Sequence, residues 1–401
     1  MNESRAIDVI QLGARMHYAV PVFFHEKHLL GQLFTDIWMP NTRISSFMQK
    51  IPLSSVKKML NRYHPEIPSD LVTSFFSLGL SYSEALRKNR HNRELETGVF
   101  LEFSRLFQQK IMQTGSLNSS YIYAFNTVAK DIFSHSESKS KTKLLEQTLI
   151  PRKTEFDLLQ SEFSFYGIDY KKGQKSLAYE QVELDENHLA DIVLCGSDFV
   201  KQSLINLGIS STKIKVVPYG YSKSNSIKLE PKSLGKQLSL LFVGNGGIRK
   251  GLRYLIEAAT RLPKVEFSIA GTLEKEITLQ EIPKNVQLLG SVERAKMPEL
   301  YASHDLLLLP SICEGSATVS YEALSYGLPV ICTLNSGTVI EQGKDGFLIP
   351  IRSSDAIVLS IEQFLTKPDL LKKMSQEALH TAQKYDANQY GRRLLKAIYE
   401  D

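Results

Sequence analysis

Residues 306–333 constrain the fold more than any other stretch of the chain. The apolar run Leu306–Leu309 ends at Pro310, as a buried strand of a parallel sheet does. A second apolar run, 330–332, begins directly after Pro329. Two buried strands this close in sequence need a crossover between them, so the stretch predicts a strand–helix–strand unit of an α/β fold.

The segment between the two strands carries the signals of a short helix. Ser316 or Thr318 is expected to cap its start, because a hydroxyl can accept a hydrogen bond from the first free amides. Gly327 is placed as the residue just past its end, and Pro329 forbids continuation.

Two carboxylates lie in this strand–helix–strand unit. Glu314 falls on the loop after the first strand, and Glu322 lies inside the helix. The free amides and the positive dipole end between them predict an anion site. A ligand with a central phosphate and hydroxyl-rich ends, such as a sugar nucleotide, would use all three features. The alternative is that both residues are solvated charges near a helix start, which the dipole also favours.

The segment resembles the E-x7-E motif of retaining family-4 glycosyltransferases with the GT-B fold. The matching residues are Glu314, Gly315, Glu322, Ala323, Gly327, Leu328, Pro329 and Val330. The resemblance implies that Glu314 contacts the donor sugar and that Glu322 holds the nucleotide ribose. It also implies that the loop between them holds sugar and phosphate through Gly315, Ser316, Ala317, Thr318 and Val319.

A glycine-rich loop follows the apolar run 238–243 and contains Gly244, Asn245, Gly246, Arg249 and Lys250. The glycines let the backbone approach a phosphate, and the two cations can neutralise it. The loop is neither a Walker A motif nor an intact G-x-G-x-x-G. It resembles the family's diphosphate loop, with Asn245 in place of the usual first Arg. The alternative is a solvated basic turn.

Two further strands, predicted over 265–272 and 285–291, bring Gly271 and Ser291 to strand ends. By the resemblance, these two ends flank the nucleotide base.

The first half of the chain is read mainly from its strands. A strand over 6–12 precedes a helix predicted over 17–34, and 40–118 is expected to be mainly helical. Further strands are predicted at 120–125, 143–148, 190–195 and 213–218. Related enzymes often carry a His near the end of the second of these strands, where Glu146 and Gln147 stand instead, so no residue of this half is assigned a catalytic role.

The predicted fold class is α/β, with two doubly wound, Rossmann-like domains facing each other across a cleft, as in GT-B. The first, acceptor-binding domain spans 1–221 and the second, nucleotide-sugar-binding domain spans 238–380. Residues 381–401, with a helix over 387–399, are expected to cross back onto the first domain.

Composition limits the partners. Residues 41–100 hold nine Lys and Arg against five Asp and Glu, which could touch an anionic lipid or an acidic acceptor, or could be solvated helix faces. No nucleic acid partner is expected. Three scattered cysteines, no signal-like start and no apolar run of 18 residues favour a cytoplasmic protein, peripheral to the inner membrane face at most.

The expected reaction is metal-independent transfer of a sugar from a nucleotide sugar to a hydroxyl acceptor, with the anomeric configuration retained. The acceptor is expected to be a glycan, a lipid-linked compound or a small molecule. The chain contains no Asp-x-Asp, so neither a metal nor another cofactor is expected. Arg249, Lys250 and the helix amides would carry the leaving-group charge, with Glu314 at the sugar. Without an evident carboxylate nucleophile, attack from the front, assisted by the leaving phosphate, is expected.

Two other functions fit the same pattern: a nucleotide-sugar epimerase or hydrolase, and a non-catalytic subunit that binds the sugar nucleotide. An NAD enzyme is disfavoured by the broken glycine pattern.

Overall fold

The computed structural model describes residues 5–40, 62–90, 92–221, 230–233, 235, 237–274 and 282–400. Most of the predicted linker 222–237 and part of the basic 41–100 stretch, including its cations at 43, 50, 57 and 58, lie outside the described residues. Two sheets form the framework, and every strand pair in both is parallel. The predicted α/β class with two doubly wound domains is confirmed.

The first sheet has seven strands in the order β3-β2-β1-β4-β5-β6-β7. They are β1 Ile7–Ile10, β2 Leu30–Thr35, β3 Val72–Ser74, β4 Tyr121–Phe125, β5 Thr142–Gln147, β6 Ile192–Cys195 and β7 Ile214–Val216. The helices of this part are α1 Ala19–Glu26, α2 Phe76–Lys88, α3 Arg93–Thr114, α4 Lys130–Ser134, α5 Arg152–Phe165, α6 Gln174–Leu189 and α7 Asp198–Asn206.

The second sheet has six strands in the order β10-β9-β8-β11-β12-β13. They are β8 Ser239–Val243, β9 Glu266–Ala270, β10 Val286–Gly290, β11 Leu306–Leu309, β12 Val330–Thr333 and β13 Gly346–Ile349. The helices are α8 Leu252–Arg261, α9 Met297–Ser303, α10 Thr318–Ser325, α11 Ser354–Thr366, α12 Pro368–Lys384 and α13 Ala387–Tyr399. Strand order reverses between β8 and β11, and ligands of open α/β sheets bind at such a switch point.

The helix predicted over 17–34 is wrong in its second half. The α-helix α1 ends at Glu26, the chain turns at His28 with φ of 55°, and Leu30–Thr35 forms β2 beside β1. A short apolar run such as this fits a buried strand or a buried helix equally well by periodicity. Pairing with β1, a contact distant in sequence, decides the outcome.

The last helix, α13, packs on the first domain. Its Leu394 and Ile398 share a core cluster with Ile7 and Phe24, and the Tyr399 hydroxyl donates to the Arg5 carbonyl at 2.8 Å. The chain therefore returns to the domain in which it began.

A second helix, α5, belongs to the first domain by its place in the chain but packs on the second domain. The sequence did not predict this packing. It follows β5 of the first sheet, yet its Leu159 lies in the core cluster of the second domain. The carboxylate of Glu162 accepts from the Tyr254 hydroxyl at 3.1 Å and from Arg352 Nε at 2.5 Å. Helices α5 and α13 thus join the two domains from both directions.

Candidate active site

The site is built where β8 and β11 end side by side. The glycine-rich loop after β8 packs on the start of the loop after β11, because Gly251, with φ of 68°, presses against the Pro310 carbonyl. Only a residue without a Cβ fits both that φ and that contact. The backbone amide of Ile312 in turn donates to the Arg249 carbonyl at 2.9 Å. The two loops predicted to bind one ligand therefore form a single structure.

Glu314 lies between the predicted cations. Its side chain is buried, with Lys250 Nζ at 2.7 Å from Oε1 and Arg249 Nη1 at 3.7 Å from Oε2. Burial lowers the pKa of Arg249, but the nearby negative groups, with Glu314 the strongest and Glu155 next, together outweigh it and raise that pKa. The two cations share one carboxylate, so the cluster keeps positive charge for an anion.

The loop that carries Glu314 is held by both domains. The Glu314 amide donates to the Asn335 carbonyl at 2.8 Å, and the Ser197 hydroxyl of the first domain donates to the Gly315 carbonyl at 2.5 Å. Gly315 also lies so close to the Thr148 carbonyl that any Cβ would clash. Glu314 therefore faces the cleft from a fixed backbone.

The start of α10 differs from the prediction. Its N-cap is Ala317, which has no side-chain acceptor, and the Ser316 hydroxyl instead bonds the Tyr321 hydroxyl at 2.9 Å. The Ala317 amide donates to the Ser336 carbonyl at 3.0 Å. Neither Thr318, the first helical residue, nor Ser316 is the cap, so neither side chain occupies the first-turn amides that an anion would need.

The end of α10 is as predicted. The Gly327 amide, at φ of 71°, donates to the Leu324 carbonyl and the Leu328 amide to that of Ala323, both at 3.0 Å. These two bonds are a Schellman motif.

Glu322 points to a different set of partners. Its Oε2 accepts from the Tyr301 hydroxyl at 2.7 Å. Burial raises the pKa of Glu322, while the Tyr301 bond and the charge of Arg294 oppose that rise. The two carboxylates therefore have separate environments, one between cations and one against a phenol.

The remaining predicted residues lie at three adjacent strand ends. The Gly244 amide donates to the Ala270 carbonyl, and the Gly271 amide donates to that of Gly290. The Gly246 amide donates to the Thr272 carbonyl, and the Asn245 side chain accepts from the Thr272 hydroxyl at 3.0 Å. Asn245 thus bonds a neighbouring strand end in the position where the related loop has an Arg.

Beside these strand ends, Ser291 lines a surface cavity of about 600 Å³ together with Val292 and Lys296. Val319, the second residue of α10, is partly exposed.

One contact across the cleft was not foreseen. The side chain of His17, in the loop after β1, bonds that of Arg294 in the second domain. Met16, His17 and Tyr18 have φ of 49°, 53° and 63° in succession, and such left-handed geometry in non-glycine residues clusters at functional sites. Burial lowers the pKa of His17, and the charges of Arg294 and His64 lower it further. No local sequence pattern signals this loop conformation.

Glu146, one of the two residues that stand where related enzymes often carry a His, is buried. It accepts hydrogen bonds from the Tyr123 hydroxyl at 2.6 Å and the Tyr219 hydroxyl at 2.9 Å. Burial raises the pKa of Glu146 to about 7, against the effect of these bonds. The three cysteines are likewise buried, as free thiols.

Two doubly wound domains that face each other, with a loop–helix site at the switch point of the second, define the GT-B fold. Residues 225–381 match the family described as Glycosyl transferases group 1. The match coincides with the sheet that carries Glu314 and Glu322. The sequence resemblance to a GT-B glycosyltransferase is supported at this level.

Curated relatives resemble about half of the chain. An uncharacterized 41.2 kDa protein in the cps region of Klebsiella pneumoniae is 29% identical over 207 residues, or 49% of this chain and 57% of that protein. Alpha-D-kanosaminyltransferase of Streptomyces kanamyceticus is 28% identical over 175 residues, 40% and 45% of the two chains. The chain thus spans about half the length of the curated relatives it matches.

Solved structures share the whole architecture at low identity. Sucrose-phosphate synthase of Thermosynechococcus elongatus has a TM-score of 0.65 at 15% identity and covers 98% of both chains. Anabaena HepE, solved in complex with UDP and glucose, has a TM-score of 0.61 at 16% identity and covers 98% of this chain and 99% of its own. At these identities the similarity establishes the fold alone.

Proposed function

We propose that the protein is a retaining, metal-independent glycosyltransferase that moves a sugar from a nucleotide sugar to a hydroxyl acceptor. The observation that carries this proposal is the buried Glu314, held between Lys250 and Arg249 beside the uncapped start of α10. A fixed carboxylate, two cations and free amides together match a sugar joined to a diphosphate.

In this proposal the donor diphosphate takes over the two cations. Lys250 and Arg249 move from Glu314 to the phosphate oxygens, where they stabilise the leaving group as the glycosidic bond breaks. The amides of Gly315, Ser316, Thr318 and Val319 complete the anion site, whereas that of Ala317 is already bonded. Glu314, freed from its ion pairs, contacts the sugar.

The nucleoside lies toward Glu322. A carboxylate in the anionic form accepts from both ribose hydroxyls, and Tyr301 fixes its orientation. The base lies by Gly271 and Ser291, with Gly244, Asn245 and Gly246 lining the loop between base and diphosphate. HepE has been solved in complex with UDP-glucose, so UDP-glucose is the first donor to test.

The test combines binding with product analysis. We expect one of UDP-, GDP- or ADP-glucose to raise the melting temperature, because a ligand that binds only the folded state stabilises it. Proton NMR of the glycoside product should show the donor's anomeric configuration, and EDTA should leave the rate unchanged. Donor turnover without an acceptor would indicate an epimerase or hydrolase, and binding without turnover a non-catalytic subunit.

A cytoplasmic location is part of the proposal. None of the helices that the structure describes combines the length and apolar character needed to cross a membrane. Contact with an anionic membrane surface through the basic 41–100 stretch remains a prediction.

A further inference from the structure

The segment that follows β9 lies along the glycine-rich loop. Pairing of β8 with β9 continues past both strands, because the Gly246 amide donates to the Thr272 carbonyl and the Glu274 amide donates to the Gly246 carbonyl, both at 2.8 Å. The side chain of Leu273 contacts Gly246 and packs on the core cluster of the second domain. These contacts fix the backbone that carries Glu274 at the edge of the proposed diphosphate site.

The carboxylate of Glu274 lies against Gly247, the next residue of that loop. Its carboxyl atoms occupy the space that a Cβ at position 247 would take, so no side chain fits there while Glu274 is in this position. Gly247 is buried and Glu274 is exposed, so the carboxylate covers the loop from the solvent side. An anionic group therefore lies on the same loop that carries Arg249 and Lys250.

The charge of Glu274 reaches the cations of this loop. Burial lowers the pKa of Arg249, and Glu274 is one of the negative groups that, led by Glu314, oppose this effect. The two carboxylates differ in what they do when a donor binds. Glu314 is buried and is proposed to contact the sugar, whereas Glu274 lies at the exposed rim on a backbone paired with the loop. The negative charge of Glu274 therefore stays near the diphosphate.

The donor and the product of the proposed reaction differ in charge at this place. In a nucleotide sugar the terminal phosphate is esterified by the sugar, so only one of its oxygens ionises. In the free nucleoside diphosphate the same phosphate has a second ionisable oxygen with a pKa of about 6, so it carries more negative charge at neutral pH. A carboxylate beside the loop repels the free diphosphate more strongly, because the Coulomb energy is proportional to the charge.

We propose that Glu274 is a specificity-determining residue of the donor site, which disfavours the free nucleoside diphosphate relative to the nucleotide sugar. The inference rests on the proposed function. Glu274 weakens the binding of both anions but weakens that of the product more, so a new donor replaces the spent diphosphate more readily. If Glu274 only covered Gly247, its charge would not distinguish the two ligands.

The test is calorimetric titration of UDP, UDP-glucose and uridine into the wild type and Glu274→Gln, with the GDP or ADP series used if the UDP series does not bind. Glutamine has nearly the shape of glutamate, so the variant keeps the cover over Gly247 and loses the charge. We expect UDP to bind Glu274→Gln about tenfold more tightly, UDP-glucose about threefold more tightly, and uridine with unchanged affinity. Glu266→Gln is the matched control, because Glu266 is also exposed but lies at the opposite end of β9.

An unchanged ratio of UDP to UDP-glucose affinity in Glu274→Gln, or an equal change of that ratio in Glu266→Gln, would overturn the inference. If no nucleoside diphosphate and no nucleotide sugar of the three series binds the wild type, the proposed function fails, and inorganic pyrophosphate then tests the charge effect alone. Tighter binding of pyrophosphate to Glu274→Gln than to the wild type and Glu266→Gln would support the effect of Glu274 on the loop. Equal or absent binding would overturn it.

Discussion

Lys250 Nζ lies 2.7 Å from Oε1 of Glu314, so a cation predicted to hold the diphosphate contacts the carboxylate predicted to face the sugar. The ion pair gives the buried carboxylate a counter-charge. In the proposed reaction, donor binding exchanges this pair for a contact between Lys250 and phosphate.

Replacing Lys250 with Ala is expected to weaken binding of UDP about tenfold to a hundredfold. The variant loses one charge-assisted hydrogen bond, worth about 1.5–3 kcal/mol. Calorimetric titration of UDP measures the change in affinity. Lys264→Ala is the control, since Lys264 is exposed and lies beyond α8. Unchanged UDP affinity in Lys250→Ala would remove the glycine-rich loop from the donor site.

Replacing Leu394 with Ala is expected to lower the free energy of unfolding by about 2–5 kcal/mol, as for other fully buried leucines. The side chain fills the interface between α13 and the first domain, so the loss should appear in the transition of that domain. Urea unfolding followed by circular dichroism gives the value, with the exposed Lys396→Ala as control. If Leu394→Ala unfolded at the same urea concentration as the wild type, α13 would contribute little to the stability of the first domain.

Glu146 is expected to make stability depend on pH. Its folded pKa of about 7 lies above the unfolded value of 4.5, so the folded state binds the proton more tightly. Stability should therefore fall as pH rises from about 4.5 to 7 and stay low above that, by up to about 3 kcal/mol.

Glu146→Gln removes this titration. The variant should gain stability relative to wild type at pH 8 and approach it at pH 5, as measured by urea midpoints. Glu183, whose pKa burial also raises to about 7, is unchanged in the variant, so the difference isolates Glu146. A wild-type and a variant protein with parallel pH curves would contradict the raised pKa.

The parts of the fold that the sequence predicts well are those with local signals. The strand β11, the stop at Gly327 and the helix 387–399 follow from apolar runs, a left-handed glycine and an amphipathic face. Strand β2 and the position of α5 depend on pairing with β1 and on contacts with Tyr254 and Arg352, which are far away in the chain.

The residues of the candidate site likewise divide into those that local sequence patterns predict and those that depend on distant contacts. Local sequence patterns place Glu314 and the two cations on loops of the second domain, and Glu322 on a helix of the same domain. The cap of α10 is mispredicted because Ser316 has a tertiary partner, Tyr321, that competes with capping. The contact of His17 with Arg294 joins two domains, and no pattern within either segment encodes it.

The central claim is that Glu322 holds the nucleoside, that Glu314 faces the sugar, and that the cations beside Glu314 hold the diphosphate. Removing Glu314 should leave Lys250 and Arg249 free, whereas removing Glu322 should delete the ribose contact.

Calorimetric titration of UDP into the wild type, Glu314→Ala and Glu322→Ala tests this most directly, because UDP lacks the sugar. We predict that Glu314→Ala binds UDP as well as the wild type or more tightly, and that Glu322→Ala binds it about tenfold or more weakly. Loss of UDP binding in Glu314→Ala as severe as in Glu322→Ala, or no UDP, GDP or ADP binding to the wild type, would contradict the proposed roles.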